Sequence, residues 1–271
     1  MKPALVVSLS ATKFQALALR EKLLDNLKLL SRFKFKAAEL HVRNPKEIDV
    51  KATVAAMKRF NMTCPTIGTG QAFFDEGLSL TSKNASVRKK ARKRLEAQLE
   101  FAAKLSCYIT IGLIRGVPKK EDKASALSML ADELGSLCEY ASRVGAAGLL
   151  LEPLNRYETT IINTLAEAGD LIAKVDADNL GILADSFHMN IEERSITESI
   201  KKASGLVMHV HLADSNRWPP GQGHFDFDEL FSALKKIGYQ SYISGEYMPM
   251  PNPTDSVKLF AEFLRERGLL P

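Results

Sequence analysis

The 271-residue chain predicts an α/β fold, a single-domain (β/α)8 barrel over residues 1–271. Short apolar runs alternate with helical stretches from end to end, and no Pro/Gly/Ser-rich or low-complexity linker interrupts them. Four successive runs also end in a ligand-type side chain. A doubly wound open sheet is the alternative architecture, but it gathers one ligand cluster at a switch point and does not place one ligand on each of four consecutive strands.

In chain order, strands are expected at Ala4–Leu9, Ala37–His41, Met62–Gly68, Tyr108–Ile114, Gly148–Glu152, Leu180–Asp185, Val207–Ala213 and Ser241–Glu246. Each is a short apolar run of the kind buried on both faces of a parallel sheet. Helices are expected near 15–24, 49–59, 86–105, 123–143, 164–175, 195–203, 228–236 and 254–268, one after each strand. Asp122 or Ser125 is placed to begin the helix over 123–143, and Gly145 to end it. Asp228 is placed to cap the helix over Glu229–Lys236, with Gly238 just past its end.

The net charge of +5 is a mild basic bias that admits anionic ligands without requiring nucleic acid. Cys64, Cys107 and Cys138 are odd in number and show no CxxC spacing, which argues against a disulfide framework and for a reducing, cytoplasmic location. The apolar run at Ala4–Leu9 is too short for a signal-peptide core, and no run approaches the ~20 residues that cross a membrane.

The four terminal residues are Glu152, Asp185, His211 and Glu246, spaced 33, 26 and 35 residues apart, about one strand–loop–helix–loop unit each. Consecutive barrel strands would bring them to one point at the C-terminal mouth. A single acid at a strand end is commonly a cap or a salt bridge, but four at consecutive ends form a metal site. Three carboxylates and one imidazole are a hard donor set that suits Mn²⁺, Mg²⁺ or Co²⁺ better than a structural zinc. His209 and His211 are two apart and share a face; His209, one layer deeper, reads as a hydrogen-bonded core histidine able to orient the ligand. The loops that follow add Asn155, Arg156, Tyr157, Glu158, His188, Arg217, Trp218 and His224. Phe73 and Phe74 would either cover an apolar edge of a ligand or pack their own loop. Arg43, Arg115 and Arg156 would bind a phosphate or form structural ion pairs.

The segments Leu151-Glu152-Pro153-Leu154-Asn155-Arg156-Tyr157-Glu158, Asp185-Ser186-Phe187-His188-Met189-Asn190 and His209-Val210-His211-Leu212-Ala213-Asp214 resemble the xylose isomerase-like TIM barrels. Within them the chain is most similar to sugar isomerases and epimerases of the D-tagatose 3-epimerase type. Gly68-Thr69-Gly70-Gln71 and Ile111-Gly112-Leu113-Ile114-Arg115-Gly116 carry the likeness in the N-terminal half. The resemblance implies one divalent ion on Glu152, Asp185, His211 and Glu246, with Mn²⁺ first and Mg²⁺, Co²⁺ or Zn²⁺ as alternatives. It implies that Glu152 and Glu246 act as acid and base on opposite faces of a ketose C3, through a cis-enediolate. It also implies that Glu158, His188 and Arg217 hold substrate oxygens near C1 and C2. The expected partner is a small sugar or sugar phosphate, with no nucleic acid and no membrane, in a homodimer or homotetramer.

Aldose–ketose or hydroxypyruvate isomerisation uses the same type of enediol and stays open, as does inosose-type dehydration or epimerisation. An endonuclease IV-like repair enzyme needs extra histidines early in the barrel, and Cys64-Pro65-Thr66-Ile67-Gly68 offers none. The basic run Arg88-Lys89-Lys90-Ala91-Arg92-Lys93-Arg94 would spread around a solvated outer helix, whereas DNA recognition would place such charge at the mouth. A non-catalytic sugar-binding module would be expected to lose one of the acids, yet both Glu152 and Glu246 are present.

Overall fold

The computed structural model describes residues 1–271 as eight parallel strands closed into a barrel. These are β1 (Lys2–Ser8), β2 (Ala38–His41), β3 (Thr66–Gly68), β4 (Tyr108–Ile111), β5 (Gly148–Leu151), β6 (Leu180–Asp185), β7 (Val207–Leu212) and β8 (Tyr242–Gly245). Each pairs with its successor, and β8 returns to β1 through Lys2↔Tyr242 to Leu5↔Gly245. Closure leaves no barrel edge, so the strands can be apolar on both faces. One face fills the barrel; the other packs against the ring of helices.

The helix boundaries follow local chemistry. Thr164 and Glu167 form a reciprocal capping box at the start of Leu165–Val175. Asn84 caps Ala85–Leu105, and Gly145 ends Lys123–Val144 in the left-handed region, where a residue without Cβ is unstrained. The Asp122 side chain makes no cap bond; it occupies only the cap position.

Four expectations shift. The first helix is Leu23–Arg32, not 15–24. Ala16–Leu19 is a buried run whose end pairs with β1 (Val7↔Leu19), and positive φ at Glu21 and Lys22 separates it from the helix. The third strand keeps only Thr66–Gly68, because Pro65 has no N–H to donate; Thr63 retains a single bridge to Ala37. The fourth strand stops at Ile111 and turns into a 3₁₀ segment over Leu113–Arg115. Asp226, not Asp228, caps the helix Phe227–Lys236, accepting from the Glu229 N–H, so that Phe227 is buried in the first turn. No helix is long and apolar enough to cross a membrane.

Candidate metal centre and substrate pocket

Glu152 and Glu246 lie one residue beyond β5 and β8, while Asp185 and His211 lie at the end of β6 and one residue short of the end of β7. Their donor atoms all fall within 4.8 Å of one another, and all four residues are buried. His211 Nδ1 is 3.7 Å from Glu152 Oε1, 3.6 Å from Asp185 Oδ2 and 3.6 Å from Glu246 Oε2.

Each ligand is aimed by its surroundings. Asp185 spends Oδ1 on the N–H groups of Phe187 (2.7 Å) and His188 (3.4 Å), capping the turn that follows β6. Its Oδ2 is buried with no partner. His211 Nε2 meets the Glu39 carboxylate at 3.0 and 3.1 Å. A carboxylate accepts, so Nε2 carries a ring proton, and Nδ1, also without a partner, is the ring atom left facing the site. Two buried ligand atoms without partners, aimed at one point, are what a cation would engage, and the oxygen-rich donor set fits a divalent ion. Glu152 is steered by two neighbours. The buried Arg115 guanidinium donates to its carbonyl and to that of Ile162, and Gly112 leaves room where a Cβ would lie 2.7 Å from Glu152 Oε2.

Electrostatics separate the two glutamates. Burial pushes the Glu152 carboxyl well above its ordinary value, and the neighbouring Glu246 and Asp185 charges add to the rise. Burial acts on Glu246 as well, but His211 and Arg217 outweigh it and hold that carboxyl below the ordinary range. Arg217 pairs directly with Glu246 and lies 3.8 Å from Asp185, with its guanidinium 4.6 Å over the Phe187 ring. Its backbone takes φ 63°, a left-handed conformation uncommon for a side chain of this size and typical of positions held for function.

His188 is fully buried and neutral, its pKa pushed down to about 3 by burial, against which Asp185 works only partly. The Asn155 backbone N–H donates to its Nδ1 at 3.2 Å, which leaves the ring proton on Nε2. Nε2 stands 3.2 Å from Arg217 Nη1, itself only a donor. That contact is therefore two donors without an acceptor, and an oxygen entering beside them would receive both. Glu158 is linked to the same corner through Asn155 Nδ2, at 3.1 Å.

These residues line a pocket that opens to solvent. Glu152, Glu158, His188, His211, Arg217 and Glu246 all face it, and Asp185 lies behind them. Sequence reasoning missed Glu39 and His41 on β2, and Gln71 after β3. Glu39 is fully buried beneath the site; His41 and Gln71 line the pocket. The signal was present for the first two: Ala37-Ala38-Glu39-Leu40-His41 places two polar residues on one face of an apolar strand, and buried charge demands partners.

The remaining candidates divide. Phe74 lines the pocket with Phe14, their rings 5.2 Å apart, while Phe73 packs edge-on behind Phe74. Tyr157 and Trp218 are exposed, and His224 bonds Ser215 outside the pocket. Arg43 pairs with Glu47 and Glu76, and Arg156 with Glu192. Arg115 forms no ion pair; it satisfies backbone carbonyls. None of the three faces the pocket as a phosphate ligand. In the basic run, Arg92 pairs with Glu133 and Arg94 with Glu76, and both lie on the outer helix Ala85–Leu105.

A family described as xylose isomerase-like TIM barrel matches residues 27–267. A 3-dehydro-D-guloside 4-epimerase of Escherichia coli (strain K12) is 42% identical over 115 residues, 42% of this chain and 44% of that protein. A D-psicose 3-epimerase of Agrobacterium fabrum (strain C58) is 31% identical over 193 residues, 69% of this chain and 65% of its own length. The match thus spans from under half to about two thirds of these two relatives. Among solved structures, the apo 3-keto-D-glucoside 4-epimerase of E. coli superposes with a TM-score of 0.81 at 27% identity, over 98% of this chain and 99% of that one.

Proposed function

Because the chain belongs to the xylose isomerase-like TIM barrel family, we propose that it is a divalent-metal-dependent sugar epimerase inverting a carbon next to a carbonyl, ketose C3 in the first instance. The observation that carries the proposal is the convergence of Glu152, Asp185, His211 and Glu246 within 4.8 Å at the floor of one pocket, two of their buried ligand atoms being without partners. Glu246, held ionised by Arg217 and His211, takes the proton from the carbon. Glu152 returns a proton to the other face. In the reverse direction the roles exchange. A divalent ion on Glu152, Asp185, His211 and Glu246, Mn²⁺ first by donor type, would supply Lewis acidity toward the neighbouring sugar oxygens. His188 Nε2–H and Arg217 Nη1–H converge where a carbonyl-side oxygen would accept both, and Glu158 stands by for a hydroxyl.

The substrate is an unphosphorylated sugar on this reading, since the arginines able to hold a phosphate are committed elsewhere. The 42% identity to a 4-epimerase of a keto-glycoside supports a second reading: the same proton transfer at C4 of a 3-keto sugar. Product analysis by chromatography decides. Inversion at C3 of free ketoses supports the first reading, and inversion at C4 of a 3-keto glycoside alone supports the second. An aldose product would overturn both in favour of an isomerase.

A further inference from the structure

Beneath the proposed metal centre lies a second cluster that the mechanism does not use. Glu39, on β2, has no exposed surface. Its Oε1 lies 3.2 Å from His41 Nε2 and 3.0 Å from His211 Nε2; its Oε2 lies 2.8 Å from His209 Nε2 and 3.1 Å from His211 Nε2. One carboxylate thus receives three imidazoles from two strands. The consistent assignment is an ionised Glu39 with each ring donating an N–H, and Ser244 Oγ, 3.0 Å from His209 Nε2, closing the network from β8.

Glu39, His209 and His211 also satisfy the composition of a metal site. Their donor atoms, however, are already engaged with one another at hydrogen-bond distances, and none of the three residues contributes an orphaned atom to that side. The orphan is His211 Nδ1, which faces the other way, toward Glu152, Asp185 and Glu246.

We infer that Glu39 is a positioning residue for His211: it fixes the Nε2–H tautomer and the ring plane, so that Nδ1 is the atom offered to the metal. His209 and His41 hold the carboxylate in turn. Gly68 belongs to the same arrangement, since a Cβ there would collide with the His41 ring. A carboxylate behind a metal-bound histidine both orients the ring and raises its basicity, and removing one typically weakens metal binding 10–100-fold.

The inference rests on the metal reading above, and the test separates the two. Mn²⁺ binding is measured by electron paramagnetic resonance of the free ion, for wild type and Glu39→Gln, with His211→Ala as the control that removes the site. The glutamine keeps an acceptor oxygen and the volume but loses the charge; melting of the metal-free proteins reports the fold. The expected result is one Mn²⁺ per wild-type chain and about 10–100-fold weaker binding in Glu39→Gln. Independent of any variant, nitrogen-15 spectra of the wild-type histidines with Zn²⁺ are expected to show His211 protonated on Nε2 and bound through Nδ1. Equal affinities in wild type and Glu39→Gln would overturn the positioning role while leaving the metal centre intact. Two ions per chain, falling to one in the variant, would make Glu39 a ligand. Coordination through Nε2 would overturn the tautomer argument. A wild type that binds no Mn²⁺ would remove the metal reading and this inference together.

Discussion

Gly112→Ala tests the aim of the Glu152 carboxylate. A Cβ at Gly112 would stand 2.7 Å from Glu152 Oε2 and 3.8 Å from its Cδ, with nothing else within 4 Å. Ordinary contact begins near 3.4 Å, so the carboxylate must retreat by about 0.7 Å, by rotation of its own side chain. A 1 Å misplacement of a reacting group costs on the order of 100-fold, so a displacement of this size should lower kcat roughly 10- to 100-fold. The assay is turnover of the best substrate with saturating metal, paired with thermal melting. A kcat within twofold of wild type, at unchanged melting temperature, would refute the claim that Glu152 must occupy its present position.

Other consequences test different parts of the account. Arg115→Met should destabilise the protein by about 2–6 kcal/mol, because the carbonyls of Glu152 and Ile162 lose their buried donor; chemical denaturation measures it. Burial opposes a charge on His211, but Glu39 and Glu246 outweigh it and raise its pKa well above 6.5, so a metal must displace a proton there. Metal affinity should therefore rise with pH through neutrality, with proton release detectable by calorimetry in buffers of different ionisation heat. Burial favours neutral Asp185 and Glu39, yet Arg217 and His188 for the first, and His211 and His209 for the second, hold both carboxyls below their ordinary values. Their contribution to stability is present above about pH 4.5 and is lost as pH falls through the folded values, so the melting temperature should drop on that side. His211 contributes with the opposite sign: its stabilisation is full below about pH 6.5 and fades as pH rises through its raised value. Arg217→Lys should cost more than 10-fold in kcat/KM, since an ammonium cannot span Glu246 and the His188 corner as the planar guanidinium does.

The barrel was legible because each strand is a short apolar run and each ends abruptly. Glu152, Asp185, His211 and Glu246 stood out for the same reason: each is the first polar residue at the mouth of its strand. His209 was also legible, because two-residue periodicity puts it on the face of His211, and it does bond Glu39 and Ser244. Glu39 escaped because it lies mid-strand, where alternation alone does not say whether a polar residue faces the barrel or the helices. The segment 15–24 was misread as helix because Leu17-Ala18-Leu19 is buried by irregular chain lying on β1, a tertiary contact that local periodicity does not encode. Arg115 was open between phosphate ligand and ion pair; its role as donor to carbonyls depends on where the chain turns after β4 and β5, which spacing does not reveal.

The most direct test is proton NMR in D₂O on metal-stripped protein and on protein reloaded with Mg²⁺ or Co²⁺, with free ketoses and a 3-keto glycoside as substrates. The account predicts metal-dependent entry of deuterium at one carbon next to the carbonyl, with inversion there, and loss of both in Glu246→Gln. Deuterium at C1 with an aldose product, or undiminished exchange in Glu246→Gln, would contradict it.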